Sequence, residues 1–269
     1  MNRGAAVFFL SDFGLTDEFV GVVHAVLQRF APGTPVIDLT HAISPFGIAE
    51  GAACLERSVD ALGPGVVLAV VDPGVGTSRR PIAVQIATEH GPTFFVGPDN
   101  GLLIGAAERR GSITAAYELT STISTGAVTF DGRDRFAPAA AFLVSGGDPA
   151  TRFPSLDPAT LVRLDPVIAD TTVIGGPAVA TAVVVGIDGY GNVALNRPGS
   201  HSPEYGSRVT VHAGDLDHEL QVVHAFGDLP NGAPGLLVDS SDHLAIVVNC
   251  GNAAAALGVA LGVTVFFRA

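Results

Sequence analysis

Residues 5–41, AAVFFLSDFGLTDEFVGVVHAVLQRFAPGTPVIDLTH, decide the fold of the first half of the chain. Ala5 to Leu10 is a short apolar run that predicts a strand, Glu18 to Phe30 predicts a helix, and Pro35 to Asp38 predicts a second strand. Short β-type runs that alternate with helix-type stretches are typical of a doubly wound parallel sheet. The stretch therefore predicts the first β-α-β unit of an α/β domain.

The same alternation continues through residue 110. Further helices are predicted at Ile48 to Leu62 and Gly101 to Arg110, and further strands at Val66 to Val71, Ile82 to Ile86 and Thr93 to Val96. Polar residues follow the strand ends at Ser11-Asp12, Asp38 to His41, Asp72 and Asp99-Asn100. Open α/β sheets bind their ligands at this edge, so we expect a site there.

The pattern changes after Phe142. Gly147 to Pro177 is rich in Pro, Asp and Thr and predicts a linker. Short β-type runs separated by turns follow from Val179 onward, including Val183 to Ile187, Arg208 to Val211, Leu236 to Val238 and Ala245 to Val248. We therefore expect two domains: an N-terminal doubly wound α/β/α sandwich over residues 1–165 and a small C-terminal β-barrel domain over residues 166–269.

Composition excludes several classes of partner. The apolar share is 48% and the mean hydropathy is +0.44, but Gly and Pro interrupt every apolar run before it reaches the length of a membrane-spanning helix. Buried strands of a parallel sheet explain the high hydropathy, and no membrane partner is expected. The net charge of −12, with 14 basic residues, argues against nucleic acid. Cys54 and Cys250 lie far apart in apolar stretches, which indicates reduced thiols, and we expect a cytoplasmic protein.

Four acidic, glycine-containing segments suggest chemistry at the sheet edge. They are SDFGLTDEF (11–19), VVDPGVGTSRR (70–80), VGPDNG (96–101) and TFDGRDRFAP (129–138). Two enzyme interpretations remain open on the residues alone. Carboxylates could hold divalent metals for phosphate-ester hydrolysis, although His ligands at a clear spacing are missing. Alternatively, carboxylates bind the ribose and amino group of a cationic nucleoside while Phe46 and Tyr190 stack on its base.

Seven segments together resemble the S-adenosyl-L-methionine hydroxide adenosyltransferase family, relatives of fluorinating and chlorinating enzymes that use the same substrate. They are LSDFGLTDEFVG, IDLTHAISPFGIAEGA, VVDPGVGTSRR, VGPDNGLL, TFDGRDRFAPAAA, IDGYGNV and VDSSDHLAIVVNCGNAAAALG, in order over nearly the whole chain. The resemblance implies hydrolysis of S-adenosyl-L-methionine to adenosine and L-methionine by attack of water or hydroxide at ribose C5′. It also implies a homotrimer whose sites lie between one subunit's N-terminal domain and a neighbour's C-terminal domain.

The resemblance further implies a set of substrate-binding residues. Asp12 matches the ribose-binding Asp and Phe46 an aromatic residue that lines the ribose. In the C-terminal half, Asn192 of the DGYGN segment and the pair Ser240 and Ser241 match contacts to the methionine part. The remaining expected substrate-binding residues are Asp188, Tyr190 as a stacking candidate, and Asn252 to Ala254 at the adenine-binding edge.

The resemblance implies that the hydroxide-using members of the family share an Asp, an Arg and a His near the attacking oxygen. Asp72 and Arg79 match the first two, but Asp131 stands where the family has His. An imidazole titrates near neutrality and a solvated carboxylate does not. The replacement of His by Asp therefore raises the question of which group accepts the proton of the attacking water. Either Asp131 lies beside Asp72, so that repulsion raises one pKa and yields a base, or Asp131 only pairs with Arg133 or Arg79 and the enzyme is slow.

Other interpretations remain as alternatives. A halogenase shares most of these motifs, but a carboxylate beside the nucleophile would repel a halide, and the connection from Ala87 to Pro92 is short. A non-catalytic protein that binds S-adenosyl-L-methionine or adenosine is the second alternative. Arg133 and Asp134 predict an ion pair, and His24 or His41 is more simply a structural His than a replacement for the missing one. We expect no metal and no cofactor beyond the substrate.

Overall fold

The computed structural model describes residues 4–89, 91–120, 129–164, 179–214 and 216–268. The chain divides into two compact units, Met1–Leu164 and Asp165–Ala269. Among the described residues, no helix is both long and apolar enough to cross a membrane. Each unit is described by itself below.

Over its described residues, the first unit contains a seven-stranded sheet and four α-helices. Its strands are β1 (Ala6–Ser11), β2 (Val36–Thr40), β3 (Gly65–Val70), β4 (Pro81–Thr88), β5 (Gly91–Pro98), β6 (Ser112–Glu118) and β7 (Ser155–Leu156). Its helices are α1 (Phe19–Phe30), α2 (Ile48–Ser58), α3 (Ile104–Arg110) and α4 (Ala137–Val144). The strand order across the sheet is β2-β1-β3-β5-β4-β6-β7.

Helices cover both faces of this sheet. Because successive side chains of a strand point to opposite faces, Phe9 and Leu10 of β1 enter different cores. Phe9 packs in one core with Leu27 of α1 and with residues of α4, and Leu10 packs in the other with Leu55 of α2 and with residues of α3. The predicted α/β/α sandwich is confirmed.

The sheet is mixed, whereas the alternating pattern predicted a parallel sheet. β2, β1, β3 and β5 run parallel, whereas β4 pairs antiparallel with both β5 and β6, and β7 pairs antiparallel with β6. Only two residues separate Thr88 of β4 from Gly91 of β5. A parallel crossover needs a dozen or more residues, so this connection can form only a hairpin.

The predicted linker is wrong over residues 147–164, which belong to the first unit. The buried carboxylate of Asp99 accepts hydrogen bonds from the Arg80 guanidinium and, at 2.8 Å, from the Val162 N–H. Arg80 also donates to the carbonyl oxygen of Thr160 at 2.6 Å. These bonds attach the Pro-rich stretch to the strand ends of the sheet. Residues 165–177 of the predicted linker lie outside the described residues.

The second unit contains a closed seven-stranded barrel, which confirms the predicted architecture. Its strands are β8 (Ala180–Ile187), β9 (Val193–Pro198), β10 (Arg208–Ala213), β11 (Leu216–Val222), β12 (Pro234–Val238), β13 (His243–Val248) and β14 (Thr264–Arg268). They follow the order β10-β11-β12-β13-β9-β8-β14, and β14 pairs with β10 to close the ring. Alternate residues of β8 and β9 are buried, as a small filled barrel requires. A short helix, α5 (Ala253–Leu257), follows β13.

Candidate active site

Asp72, Arg79 and Asp131 form one cluster in the first unit. Nε of Arg79 donates to Asp72 Oδ1 at 3.0 Å, and Nη2 of Arg79 donates both to Asp72 Oδ2 and, at 2.7 Å, to Asp131 Oδ2. The side chains of Asp72, Arg79 and Asp131 are 6%, 7% and 11% exposed. The structure therefore brings the three predicted catalytic residues together, with their side chains largely buried.

The turn between β3 and β4 returns Arg79 to Asp72. Gly76 has a left-handed φ of 77°, which glycine adopts without the strain that a Cβ would introduce. The Thr77 hydroxyl donates to the Gly74 carbonyl oxygen at 2.6 Å and accepts from the Arg79 N–H at 3.3 Å. These contacts explain how residues seven positions apart face each other.

Asp131 lies at the start of the helix that leads into α4. Residues Gly132–Phe136 form a π-helical turn in which the Ala137 N–H donates to the Gly132 carbonyl oxygen. Single π-turns occur frequently at functional sites because they reorient side chains within a helix. Nε of Arg135 lies 3.1 Å from Asp131 Oδ1, so Asp131 contacts two guanidinium groups.

The partners of Asp131 correct one alternative from the sequence in part. Arg133 pairs with its neighbour Asp134, at 2.7 and 2.8 Å, as their adjacency predicted. Asp131 pairs with Arg79, as that alternative expected, and with Arg135 rather than with Arg133. Sequence reasoning missed Arg135, although its i,i+4 spacing from Asp131 was an available signal.

Electrostatics distinguish Asp72 within the cluster. Burial raises the pKa of the Asp72 carboxyl above its ordinary value, and the neighbouring charge of Asp131 raises the pKa further, while Arg79 lowers it. Nη1 of Arg79 is buried and makes no hydrogen bond within the parts of the chain that the structure describes. An unpaired buried donor costs about 1–3 kcal/mol, so an added oxygen acceptor would be stabilised there.

Asp12 lies at the same sheet edge as Asp72. Ser11 of β1 is in register with Val70 of β3, and the Asp12 N–H donates to the Val70 carbonyl oxygen at 3.4 Å. Asp12 Oδ2 accepts from the Phe46 N–H at 2.9 Å. Phe46 has a left-handed φ of 66° and its side chain is exposed. Strained backbone of this kind clusters at binding sites, and here the Asp12 carboxylate holds it in place.

In the second unit, the β8–β9 turn meets the N-terminus of α5. Asp188 accepts hydrogen bonds from the N–H groups of Tyr190 and Asn192, and from the Asn192 side chain, at 2.8 to 2.9 Å. The Gly191 carbonyl oxygen accepts from the Ala254 N–H at 2.9 Å. The structure therefore places Asn192 beside the predicted adenine-binding edge, and Asp188 orders the turn that presents it.

Replacing Gly191 with Ala is expected to disrupt this junction. Gly191 has a φ of 85°, and a Cβ there would lie 2.1–2.4 Å from side-chain atoms of Asn252. We expect more than about 2 kcal/mol of destabilisation, since a left-handed φ alone costs about 1–2 kcal/mol. Thermal unfolding of the variant and the wild type measures this loss of stability. Gly214→Ala is the matched control, because Gly214 also has a left-handed φ but a Cβ there would have no atom of the described residues within 4 Å. Equal losses of stability in the two variants would contradict a close contact between Gly191 and Asn252.

Ser240 and Ser241 lie at the other end of the barrel strands. His243 pairs with Pro198 of β9, whereas Ile246 pairs with Val193, directly after Asn192. The six residues of β9 span about 17 Å. Asn192 and the two serines therefore lie at opposite ends of this strand, and their common assignment to the methionine part stays a prediction. Within the described residues, neither serine hydroxyl makes a hydrogen bond.

Comparisons with known proteins agree with this fold. The profile of the SAM hydroxide adenosyltransferase N-terminal domain matches residues 7–152, and that of the C-terminal domain matches residues 182–266. A protein of Salinispora tropica named (R)-S-adenosyl-L-methionine hydrolase is 43% identical over 95% of both chains. A structure titled as an uncharacterized conserved protein from Thermotoga maritima superposes with a TM-score of 0.86 at 32% identity, over 98% of this chain and 100% of that one.

The α/β domain and the β-barrel domain of this chain therefore match the two domains of one enzyme family. It belongs to the SAM hydroxide adenosyltransferase family. A fluorinase of Actinoplanes is a more distant relative, at 26% identity over 98% of this chain and 97% of the relative.

Proposed function

We propose that this protein hydrolyses S-adenosyl-L-methionine to adenosine and L-methionine. The observation that carries the proposal is the buried cluster of Asp72, Arg79 and Asp131, found in a chain 43% identical to a protein named (R)-S-adenosyl-L-methionine hydrolase. The cluster combines two acids and a guanidinium whose side chains are largely shielded from bulk water. Such a cluster suits the positioning of one water molecule for attack.

The reaction balances without a cofactor or metal. The water oxygen forms a bond to C5′, the bond from C5′ to the sulfonium sulfur breaks, and its electron pair stays on the sulfur of methionine. One proton leaves the water. The sulfonium is already a good leaving group, so the protein mainly aligns the nucleophile and removes its water shell.

Asp72 is the base in this proposal. Burial and Asp131 raise the pKa of Asp72, so its carboxylate accepts a proton more readily than an ordinary Asp does. Asp131, held by Arg79 and Arg135, acts through its charge on Asp72. Nη1 of Arg79, which has no partner among the described residues, supports a place for the attacking oxygen beside the cluster.

Asp131→Asn is expected to move the acid limb of kcat/KM to lower pH. The charge of Asp131 is one cause of the raised pKa of Asp72, so its removal lowers that pKa. The base then remains ionised, and active, at a more acidic pH. The pH profile of kcat/KM measures the shift. Asp134→Asn removes another buried, arginine-paired carboxylate and should leave the limb in place; an unmoved limb in Asp131→Asn would exclude this role.

Residues of each unit are assigned a part of the substrate in this proposal. We propose that Asp12 binds the ribose and Phe46 lines it, and that Asn192, Asn252 and Ala254 bind the adenine while Tyr190 stacks on it. The serines, Ser240 and Ser241, then bind the methionine part. Adenine and methionine are the two ends of the substrate, so opposite ends of β9 suit them better than a shared contact does.

Incubation of the pure protein with S-adenosyl-L-methionine, followed by chromatography, tests the proposed function. Adenosine and methionine should appear in equal amounts, with or without added halide or chelator. Production at only the uncatalysed rate would leave a binding protein instead. A 5′-halo-5′-deoxyadenosine formed in the presence of halide would indicate a halogenase.

We further propose a homotrimer in the cytoplasm, with each site completed by a neighbouring subunit. The high exposure of Phe46 and Tyr190, 71% and 81%, supports a role for these side chains at a contact with substrate or another subunit. The two free thiols, Cys54 and Cys250, suit a reducing compartment. Light scattering on the eluted protein tests the trimer, and cell fractionation tests the location.

A further inference from the structure

His24, Asp38 and His41 form a second cluster that the proposed reaction does not use. Nε2 of His24 lies 2.8 Å from Asp38 Oδ1, and Nε2 of His41 lies 3.2 Å from the same oxygen. One ligand atom from each residue lies within 4.8 Å of the other two. The three side chains come from α1, from β2 and from the residue after β2, so regular elements hold them.

His41 is oriented to leave one ring nitrogen available. Its side chain is 3% exposed, and its Nδ1 lies 2.8 Å from the Ser11 hydroxyl oxygen. That hydroxyl also accepts from the Phe13 N–H at 3.3 Å. Nε2 of His41 is buried and satisfies hydrogen-bond geometry with no atom of the described residues, Asp38 included.

This arrangement matches the chemistry of a transition-metal site. Metal-binding His residues typically hydrogen-bond through the other ring nitrogen, as His41 does with Ser11. Nitrogen and oxygen ligands 2.0–2.1 Å from a tetrahedral zinc ion lie about 3.3 Å apart, close to the separations between Asp38 and the two histidines. His24 and Asp38 are 36% and 41% exposed, so they can adjust and a water can complete the coordination.

We propose that His24, Asp38 and His41 bind one divalent transition-metal ion of the zinc type. Two imidazoles and one carboxylate favour zinc over magnesium, which prefers an all-oxygen shell. The site is separate from the Asp72 cluster and takes no part in the proposed hydrolysis. The expectation of no metal was based on sequence spacing, which does not show that α1 and β2 bring these ligands together.

Titration of the full chain with Zn²⁺ against a chromophoric chelator tests the proposal. The wild-type chain should bind one equivalent, and Mg²⁺ in the same concentration range should not compete. His24→Gln retains a group that can donate to Asp38 but removes the imidazole, and it should weaken zinc binding by more than about 100-fold, beyond the 10- to 100-fold typical of losing an outer partner. Bound zinc should also raise the wild-type Tm.

The matched control is His212→Gln. His212 also faces an aspartate, with Nδ1 2.8 Å from Asp217 Oδ1, but the pair belongs to no three-residue ligand group among the described residues. The His212→Gln variant should bind zinc as the wild type does. Asp38→Asn is a second variant that should lose the site, should His24→Gln fail to fold. Absence of one-equivalent binding in the wild type, or equal affinity in His24→Gln, would overturn the proposal.

Discussion

Replacement of Asp72 by Asn is expected to lower kcat/KM for S-adenosyl-L-methionine by about 10²–10⁴-fold, the usual contribution of a positioned base. Asn is nearly the same size as Asp and can still accept a hydrogen bond from Arg79, so the pocket keeps its shape. It cannot accept the proton of the attacking water. Steady-state kinetics should therefore show a large fall in kcat with KM little changed.

Asp99→Asn is the control for this substitution. Asp99, like Asp72, is a buried carboxylate paired with an arginine in the first unit, but it anchors residues 160 and 162 through Arg80 and its own carboxylate. Asp99→Asn should lower the Tm and leave kcat/KM of the folded enzyme within a few-fold of wild type. Comparable losses of activity in both variants would mean that Asp72 contributes only to structure.

Arg79→Met is expected to destabilise the first unit by roughly 3–5 kcal/mol near neutral pH, as the removal of one partner from a buried ion pair usually does. Methionine replaces most of the volume of Arg79 and can pack on Phe136, whose ring centre lies 5.4 Å from the guanidinium carbon. The loss of stability then reports the removal of the positive charge rather than the removal of packing volume. Four of the five α-helices of the described residues lie in the first unit, so urea unfolding followed by far-ultraviolet circular dichroism reports mainly on it.

The loss in Arg79→Met should depend on pH. Without the guanidinium, the pKa of Asp72 in the folded state rises further above its value in the unfolded chain. Stability from such a group is complete below the unfolded pKa and is lost as pH rises through the folded pKa. The deficit relative to wild type should therefore be smaller at about pH 5 than at about pH 8. A deficit independent of pH would show that Arg79 stabilises the unit by packing alone.

The sequence predicted the elements whose patterns are strong. β1, α1 and β3 have continuous apolar runs or clear helical spacing, and they fall within two residues of their predicted positions. β11 was missed because four of its seven residues are polar or charged, and β9 because it includes the buried Arg197, which interrupts the apolar pattern. The mixed sheet was not predicted because pairing direction depends on connection length rather than on composition.

The site was predictable where its residues lie close in sequence. Asp72 and Arg79 flank one turn, and the resemblance to a family added Asp131 from a distant segment. The partners of Asp131 depend on the π-turn, which spacing alone does not reveal. The separation of Asn192 from Ser240 and Ser241 follows from the register of β9 and β13, and that register exists only in the closed barrel.

Hydrolysis in water labelled with ¹⁸O tests the central claim most directly. If water activated at the Asp72 cluster attacks C5′, mass spectrometry should find one ¹⁸O atom in the 5′-hydroxyl of adenosine and none in methionine. Adenosine without the label, or label in methionine instead, would contradict attack of water at C5′.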